Sequence, residues 1–123
     1  MTLSEEITIG SLSVNESSHE LLTNLVYDKG LPDEDRPFTA IVESFRFAFA
    51  LGYSLDCRGE RSGTQVGVAP RQFVVKDYEV ILGPTCIEEG ISLGGLCSDY
   101  AEGGCGIIRE HIQGGGTVLE LVS

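Results

Sequence analysis

The chain contains two histidines, His19 and His111, and these are the side chains whose ordinary titration range suits general-base work at neutral pH. A serine or cysteine nucleophile needs such a base within hydrogen-bond reach. Neither histidine sits in a nucleophile or metalloprotease signature: HExxH is missing, and the GxSxG match Gly90-Ile-Ser-Leu-Gly94 contains no histidine and follows no predicted strand. His19 falls in the first turn of a predicted helix, where exposure to solvent is the default. The four cysteines, Cys57, Cys86, Cys97 and Cys105, raise disulfide or zinc chemistry, but no CxxC pair occurs. Buried, reduced thiols are the expectation, and Cys97, Cys105 and His111 form the one metal arrangement worth weighing against it. Gly103-Gly-Cys-Gly106 and Gly114 to Gly116 resemble a phosphate cradle only superficially. They match neither GxGxxG nor GxxxxGK[ST], and no lysine follows either. Asp33, Glu34 and Asp35 lie beside Arg36 in a polar loop and read as a solvated charge run. No catalytic residue, cofactor or metal is therefore expected, and the chain does not read as an enzyme.

The arginines are the better lead. Nineteen acidic residues face eight basic ones, giving a net charge of −11, and two of those eight are lysines. Acidic, lysine-poor surfaces stay hydrated in high salt, so the balance reads first as halophilic adaptation. Its functional counterpart is a surface that repels nucleic acid or selects a basic partner. Duplex binding rests on cations that neutralise phosphates, so the charge argues against autonomous, non-specific DNA binding. Against this background Arg58, Arg61 and Arg71, three of six arginines, fall in and just after one Gly-rich segment between Leu55 and Pro70. A loop of about fifteen residues invites a functional explanation. The planar guanidinium suits carboxylate or phosphate recognition, and pairing with neighbouring acids such as Glu60 and Asp56 is the competing explanation.

The elements that position these residues follow from periodicity. Glu6-Ile-Thr-Ile-Gly10 alternates as a short strand. Ser17-Ser-His-Glu20 then predicts a capping box opening a helix with Leu21, Leu22, Leu25 and Val26 on one face, stopped by Gly30 and Pro32. A second helix starts near Thr39. Its body, Ile41 to Leu51, is apolar nearly all round, as in an enclosed core helix, with Gly52 as its left-handed C-terminal residue. Lys76 to Leu82 is predicted helical and ended by Gly83-Pro84. Ile87 to Tyr100 and Gly106 to Val122 also show helical spacing, and the glycines among them admit close helix packing or breaks. Breaks at Gly103-Gly104 and at Gly114 to Gly116 are the expectation, since each interior glycine costs about 1 kcal/mol.

The order strand, helix, helix resembles a ribbon-helix-helix unit, in which two chains pair strands and set the ribbon in the DNA major groove. Here the ribbon positions are drawn from Glu6, Thr8 and Ser11, without a cation, so the topology suits dimerisation better than base reading. Beyond this local pattern, three pieces carry a likeness to a family: Glu20-Leu-Leu-Thr-Asn-Leu-Val26; Phe38 through Phe45-Arg-Phe-Ala-Phe-Ala-Leu-Gly-Tyr53 with Arg58-Gly-Glu-Arg61; and Asp99-Tyr-Ala-Glu-Gly-Gly104 leading into Ile107-Ile108. With these the chain resembles the Dnd system-associated protein 4 family, small proteins of DNA phosphorothioation loci. It departs from that pattern in its scarcity of lysine and in the glycines after Gln113. The resemblance implies an accessory role in a system that replaces a non-bridging phosphate oxygen with sulfur and restricts unmarked DNA. It carries over no catalytic residue, and Arg58 and Arg61 match the family's basic stretch.

The expectation is a mainly α fold in one domain, 1–123: a short N-terminal strand, then four to five helices, the N-terminal part ribbon-helix-helix-like. Its densest apolar run, Phe45 to Leu51, is interrupted by Arg46 and falls far short of the roughly 20 residues of a membrane span. Glu5 and Glu6 stand where a secretory signal would carry cations, which points to the cytoplasm. The expected function is that of a non-catalytic adaptor that meets protein components of a DNA modification and restriction system, able to form a homodimer. A ribbon-helix-helix regulator is the alternative.

Overall fold

The computed structural model describes residues 10–27, 38, 41–68, 75–116 and 121. Among these residues four α-helices and a two-stranded antiparallel sheet make up a mainly helical fold: β1 (Ser13–Asn15), α1 (Glu16–Tyr27), α2 (Ile41–Ser54), β2 (Gln65–Gly67), a 3-10 turn (Val75–Tyr78), α3 (Glu79–Glu89) and α4 (Leu93–Gln113). The periodicity of α1 holds, with Leu22, Leu25 and Val26 buried and Leu21 packed partly against the same core. Its start does not lie at Ser17. The helix begins at Glu16, directly from β1, so Ser17 is already inside the first turn and the predicted capping box is not the helix opening.

In α2 the buried positions Phe45, Ala48, Phe49 and Gly52 recur at helical spacing. Arg46, Ala50 and Tyr53 are exposed, so the helix has one wet face and is not enclosed all round. Gly52 is not its left-handed terminus either. The helix runs on to Ser54, and the left-handed residue is Asp56, at φ 49°. What needs a glycine at 52 is contact. A Cβ there would lie closer than 3.0 Å to the Tyr100 carbonyl of α4, and a Cβ on Gly104 would meet the Ala48 carbonyl of α2 in the same way. Ala48 with Gly52 and Tyr100 with Gly104 are both four apart, and the pairing runs in opposite directions along the two helices. The two helices therefore cross antiparallel, with their backbones in contact.

That contact explains the largest departure from expectation. Helix α4 runs unbroken for 21 residues through Gly94, Gly95, Gly103, Gly104 and Gly106. Close packing supplies at 103 and 104 what helix propensity withholds. Ser92 caps its start, its hydroxyl accepting from the Gly95 N–H at 2.9 Å. The expected break at Gly114 to Gly116 is present. The helix ends at Gln113, Gly115 turns at φ 93°, and the Gly116 N–H reaches back to the His111 carbonyl at 2.9 Å.

Gly83-Pro84 does not end α3, which continues to Glu89 with Pro84 inside it. Proline gives no amide hydrogen to the carbonyl four residues back, here that of Val80, whose side chain is 81% exposed. The actual stop is Gly90 at φ 70°, its N–H on the Cys86 carbonyl at 2.8 Å, so the predicted helix from Ile87 to Tyr100 is divided there. Helices α3 and α4 meet at 99°, and among the described residues no single helix is long and apolar enough to cross a membrane.

The strand expected at Glu6 to Gly10 falls on residues outside those described, except Gly10, which is not in a strand. The observed β1 pairs with β2 of the same chain, Ser13 opposite Gly67 and Asn15 opposite Gln65. Thus the segment read as one loop from Leu55 to Pro70 contains a strand.

The glycine contact makes opposite predictions for two neighbours. Gly104→Ala should lower unfolding stability by about 1–3 kcal/mol through overpacking, although alanine is the better helix former. Gly106→Ala, where an added Cβ meets nothing within 4 Å, should raise it by about 0.5–1 kcal/mol. Urea midpoints of the two variants decide this, and equal or reversed effects would refute the packing role.

Candidate functional site

Past Asp56 the chain lies directly on α4. The Cys57 N–H donates to the Gly52 carbonyl and the Gly59 N–H to the Asp99 carbonyl, both at 2.8 Å. A Cβ on Gly59 would strike Glu102, and one on Gly103 would strike the Cys57 carbonyl. Two glycines thus let loop and helix touch, and the loop is seated against the core helix by its own backbone.

This seating sets the two described arginines of the loop, Arg58 and Arg61. Arg58 Nη1 pairs with Glu89 Oε1 at the end of α3, 2.9 Å away, and its Cζ stands 6.0 Å from the Tyr100 ring centroid. The hydrogen bond to Glu89 raises the Arg58 pKa above its ordinary value. Arg61 Nε pairs with Asp99 Oδ1 of α4 at 2.8 Å, and its Nη1 donates to the Ser13 hydroxyl of β1 at 3.1 Å. Arg58 is over a third exposed and Arg61 about a quarter. The acids they meet are Glu89 and Asp99, not the adjacent Asp56 and Glu60. Arg71 lies outside the described residues, so the grouping of all three is not seen.

Beneath the loop sits a polar cluster that periodicity did not reveal. Among the described residues no strand lies beside the outward N–H groups of β1, which are received by α4. Ser13 N–H donates to the Ser98 hydroxyl at 3.0 Å and Asn15 N–H to Glu102 Oε1. Residues four apart on a helix rise about 6 Å and residues two apart on a strand about 6.8 Å, so Ser98 and Glu102 match consecutive outward N–H groups. Glu102 is 7% exposed, and its second oxygen accepts from the Ser18 hydroxyl at 2.7 Å. Arg109 Nη2 approaches that hydroxyl at 3.5 Å. A buried carboxylate persists because hydrogen bonds replace its lost water. The Asn15 side chain locks the loop from the other side, donating to the Glu60 carbonyl at 3.0 Å and accepting from the Ser62 N–H at 2.9 Å.

The cysteines are suited to packing. Cys86, Cys97 and Cys105 are buried, and burial pushes Cys97 and Cys105 up to about 12, with Cys86 also raised. A thiol held neutral is a poor nucleophile and a poor metal ligand. Cys97, Cys105 and His111 do not come together as a metal-holding group, and no group of three or more His, Cys, Asp or Glu side chains does so among the described residues. The glycines that superficially resemble a phosphate cradle have other uses. Gly103 and Gly104 face backbone, and Gly116 leaves room for the His111 ring.

Fold and site together define a small acidic helical domain whose loop arginines are engaged with carboxylates of two helices. In comparisons with known families, curated proteins and solved structures, nothing matches the chain.

Two predictions follow from the buried groups. Glu102→Ala should destabilise by about 2–4 kcal/mol, since it strands the Asn15 N–H and the Ser18 hydroxyl, with faster amide exchange at Asn15. Glu102→Gln should cost less, because the amide carbonyl still accepts and the hydroxyl can turn. For the thiols, the folded value near 12 lies above the ordinary 9.0, so the folded state keeps protons that the unfolded state releases. That contribution is complete below about pH 9 and is lost as pH rises toward 12. At pH 10 the native protein should show far less thiolate absorbance at 240 nm than the denatured protein, and equal absorbance would contradict the burial.

Proposed function

We propose that this chain is a non-catalytic accessory or adaptor protein of a phosphorothioation-linked DNA modification and restriction system, acting in the cytoplasm through contact with that system's protein components. The observation that carries the adaptor reading is the seating of the 55–64 loop. Backbone contacts through Gly59 and Gly103 fix it on α4 while Arg58 stays exposed, near Tyr53 and Leu55 in sequence, both also exposed. A rigid loop that presents a cation beside apolar surface suits protein recognition, because little ordering entropy is lost on binding. The restriction context rests on the resemblance carried by Glu20 to Val26, Phe38 to Arg61 and Asp99 to Ile108.

Arg58 is the residue expected to meet a partner, with Arg71 in the same segment of sequence. Its pair with Glu89 is exposed, and pairs of that kind contribute about 0–1 kcal/mol, so a partner carboxylate can exchange for Glu89 at small cost. Arg61 is tied to Asp99 and Ser13 and serves first to hold loop, helix and strand together. The alternative of a ribbon-helix-helix regulator draws no support from β1. One side of that strand is paired with β2, and its outward N–H groups are bound by Ser98 and Glu102.

The test is co-purification of the tagged chain with the products of neighbouring modification and restriction genes at native salt. The expected result is stoichiometric recovery of at least one such component. Arg58→Glu should reduce its capture about tenfold or more, with the unfolding midpoint little changed. A chain that runs alone, or one whose flanking genes encode no such component, defeats the proposal.

A further inference from the structure

Helix α3 carries its apolar residues on the wrong side for a core helix. Leu82, Gly83 and Cys86 face inward, while Val80, Ile81, Pro84 and Ile87 are exposed. At 100° per residue, Val80, Pro84 and Ile87 recur at i, i+4 and i+7 and form one stripe, with Ile81 along its edge. Single exposed apolar residues are ordinary, but four on one helical face are a patch, and such patches mark interaction sites. The exposed acids nearest the stripe are Glu88 and, just before the helix, Asp77. Helix α3 holds no lysine or arginine of its own; Glu79 falls on its inward side with Leu82 and Cys86, and Glu89 is paired with Arg58.

We infer that this face of α3 is a docking surface for a cationic amphipathic helix of a partner protein, whose apolar side covers Val80, Pro84 and Ile87 and whose lysines or arginines meet Glu88 and Asp77. Charge selects this occupant over the others. A second copy of the chain would set its own α3 glutamates against these, in a molecule already at −11. Nucleic acid and anionic membrane are repelled by the same field. A helix laid along an apolar stripe with i, i+4, i+7 anchors is a recurrent mode of peptide recognition, and a cationic rim supplies its orientation and on-rate. The inference rests on the partner-binding reading above but concerns a different surface from Arg58 and requires no particular genomic context.

The probe is a fluorescein-labelled 14-residue lysine-leucine peptide with helical amphipathic spacing, titrated into the full chain and read by fluorescence polarisation. Three companion peptides accompany it: the same composition scrambled, and glutamate versions of both. Saturable binding of the amphipathic cationic peptide is expected, at least tenfold tighter than the scrambled one and weakening as salt rises. Val80→Ser with Ile87→Ser, both at exposed positions, should weaken it tenfold or more. Asp77→Asn with Glu88→Gln should flatten its salt dependence. Hydrogen exchange on the unmodified chain provides a readout free of variants, with protection expected on α3 when the peptide is bound. Equal affinity for the scrambled peptide would reduce the attraction to net charge and overturn the site, as would protection elsewhere or no binding at low salt. Light scattering covers the remaining occupant: if the chain self-associates and the serine pair abolishes it, the stripe joins copies and the inference fails. None of these outcomes bears on co-purification through Arg58, so the two proposals can fail separately.

Discussion

The structure depends on a contact between two backbones. Where α2 and α4 cross, the carbonyls of Ala48 and Tyr100 press against Gly104 and Gly52, with no side chain between them. Glycine in a helix costs about 1 kcal/mol relative to alanine, and the return comes from the short interaxial distance it permits. At that distance dispersion acts over many atom pairs, and Cα–H groups can face carbonyl oxygens. The crossing also sets the aromatic cluster around it, in which Phe49 lies edge-on to Tyr100 with ring centroids 6.2 Å apart and to Tyr78 at 4.8 Å. Tyr53 closes the same cluster against Tyr100 at 5.5 Å.

Helix α4 can be so thoroughly covered because each of its faces meets a different kind of neighbour. Tyr100, Gly103 and Gly104 face backbone, of α2 and of the loop that follows it. Ser98 and Glu102 face the N–H groups of β1. Asp99 faces Arg61, and its carbonyl faces Gly59. From Leu93 to Ser98 and from Tyr100 to Cys105 every residue is buried. At Gly106 there is open space, and beyond it Ile108 is again buried. The same helix thus organises the sheet, the loop and the core, and the geometry of Arg58 and Arg61 is inherited from it.

How much of this could be read from the chain depends on the range of the interaction involved. Helices α1 and α2 were legible because Leu22, Leu25, Val26, Phe45 and Phe49 repeat with the local period. The stop after Gln113 was legible because three successive glycines have few uses within a helix. Gly103 and Gly104 were misread, since an isolated chain shows the propensity cost of glycine but not the carbonyl packed against it. Strand β2 was missed for the same reason: Gln65-Val-Gly67 is three residues long, and what makes it a strand is the ladder to β1, some fifty residues earlier. Glu102 was invisible because a helical glutamate reads as surface, and only the spacing match with β1 explains its burial. The arginines were correctly singled out, yet their partners lie 31 and 38 residues away in sequence, whereas local reading looked to Asp56 and Glu60.

The acidity of the chain takes on a different meaning once these contacts are known. Several carboxylates have internal work: Glu102 receives a strand edge, Asp99 holds Arg61 and Glu89 holds Arg58. The net charge therefore does not describe one uniform surface. Where an acid is matched to an arginine, the pair joins two elements and presents little net field. Along α3, Glu88 stands beside exposed apolar side chains on a helix that contains no cation. Burying those side chains against another acidic surface would bring like charges together, while a basic helix would turn the same charges into attraction. The distribution of the carboxylates, more than their number, thus separates those that join elements of the domain from those that stand at its exposed apolar face.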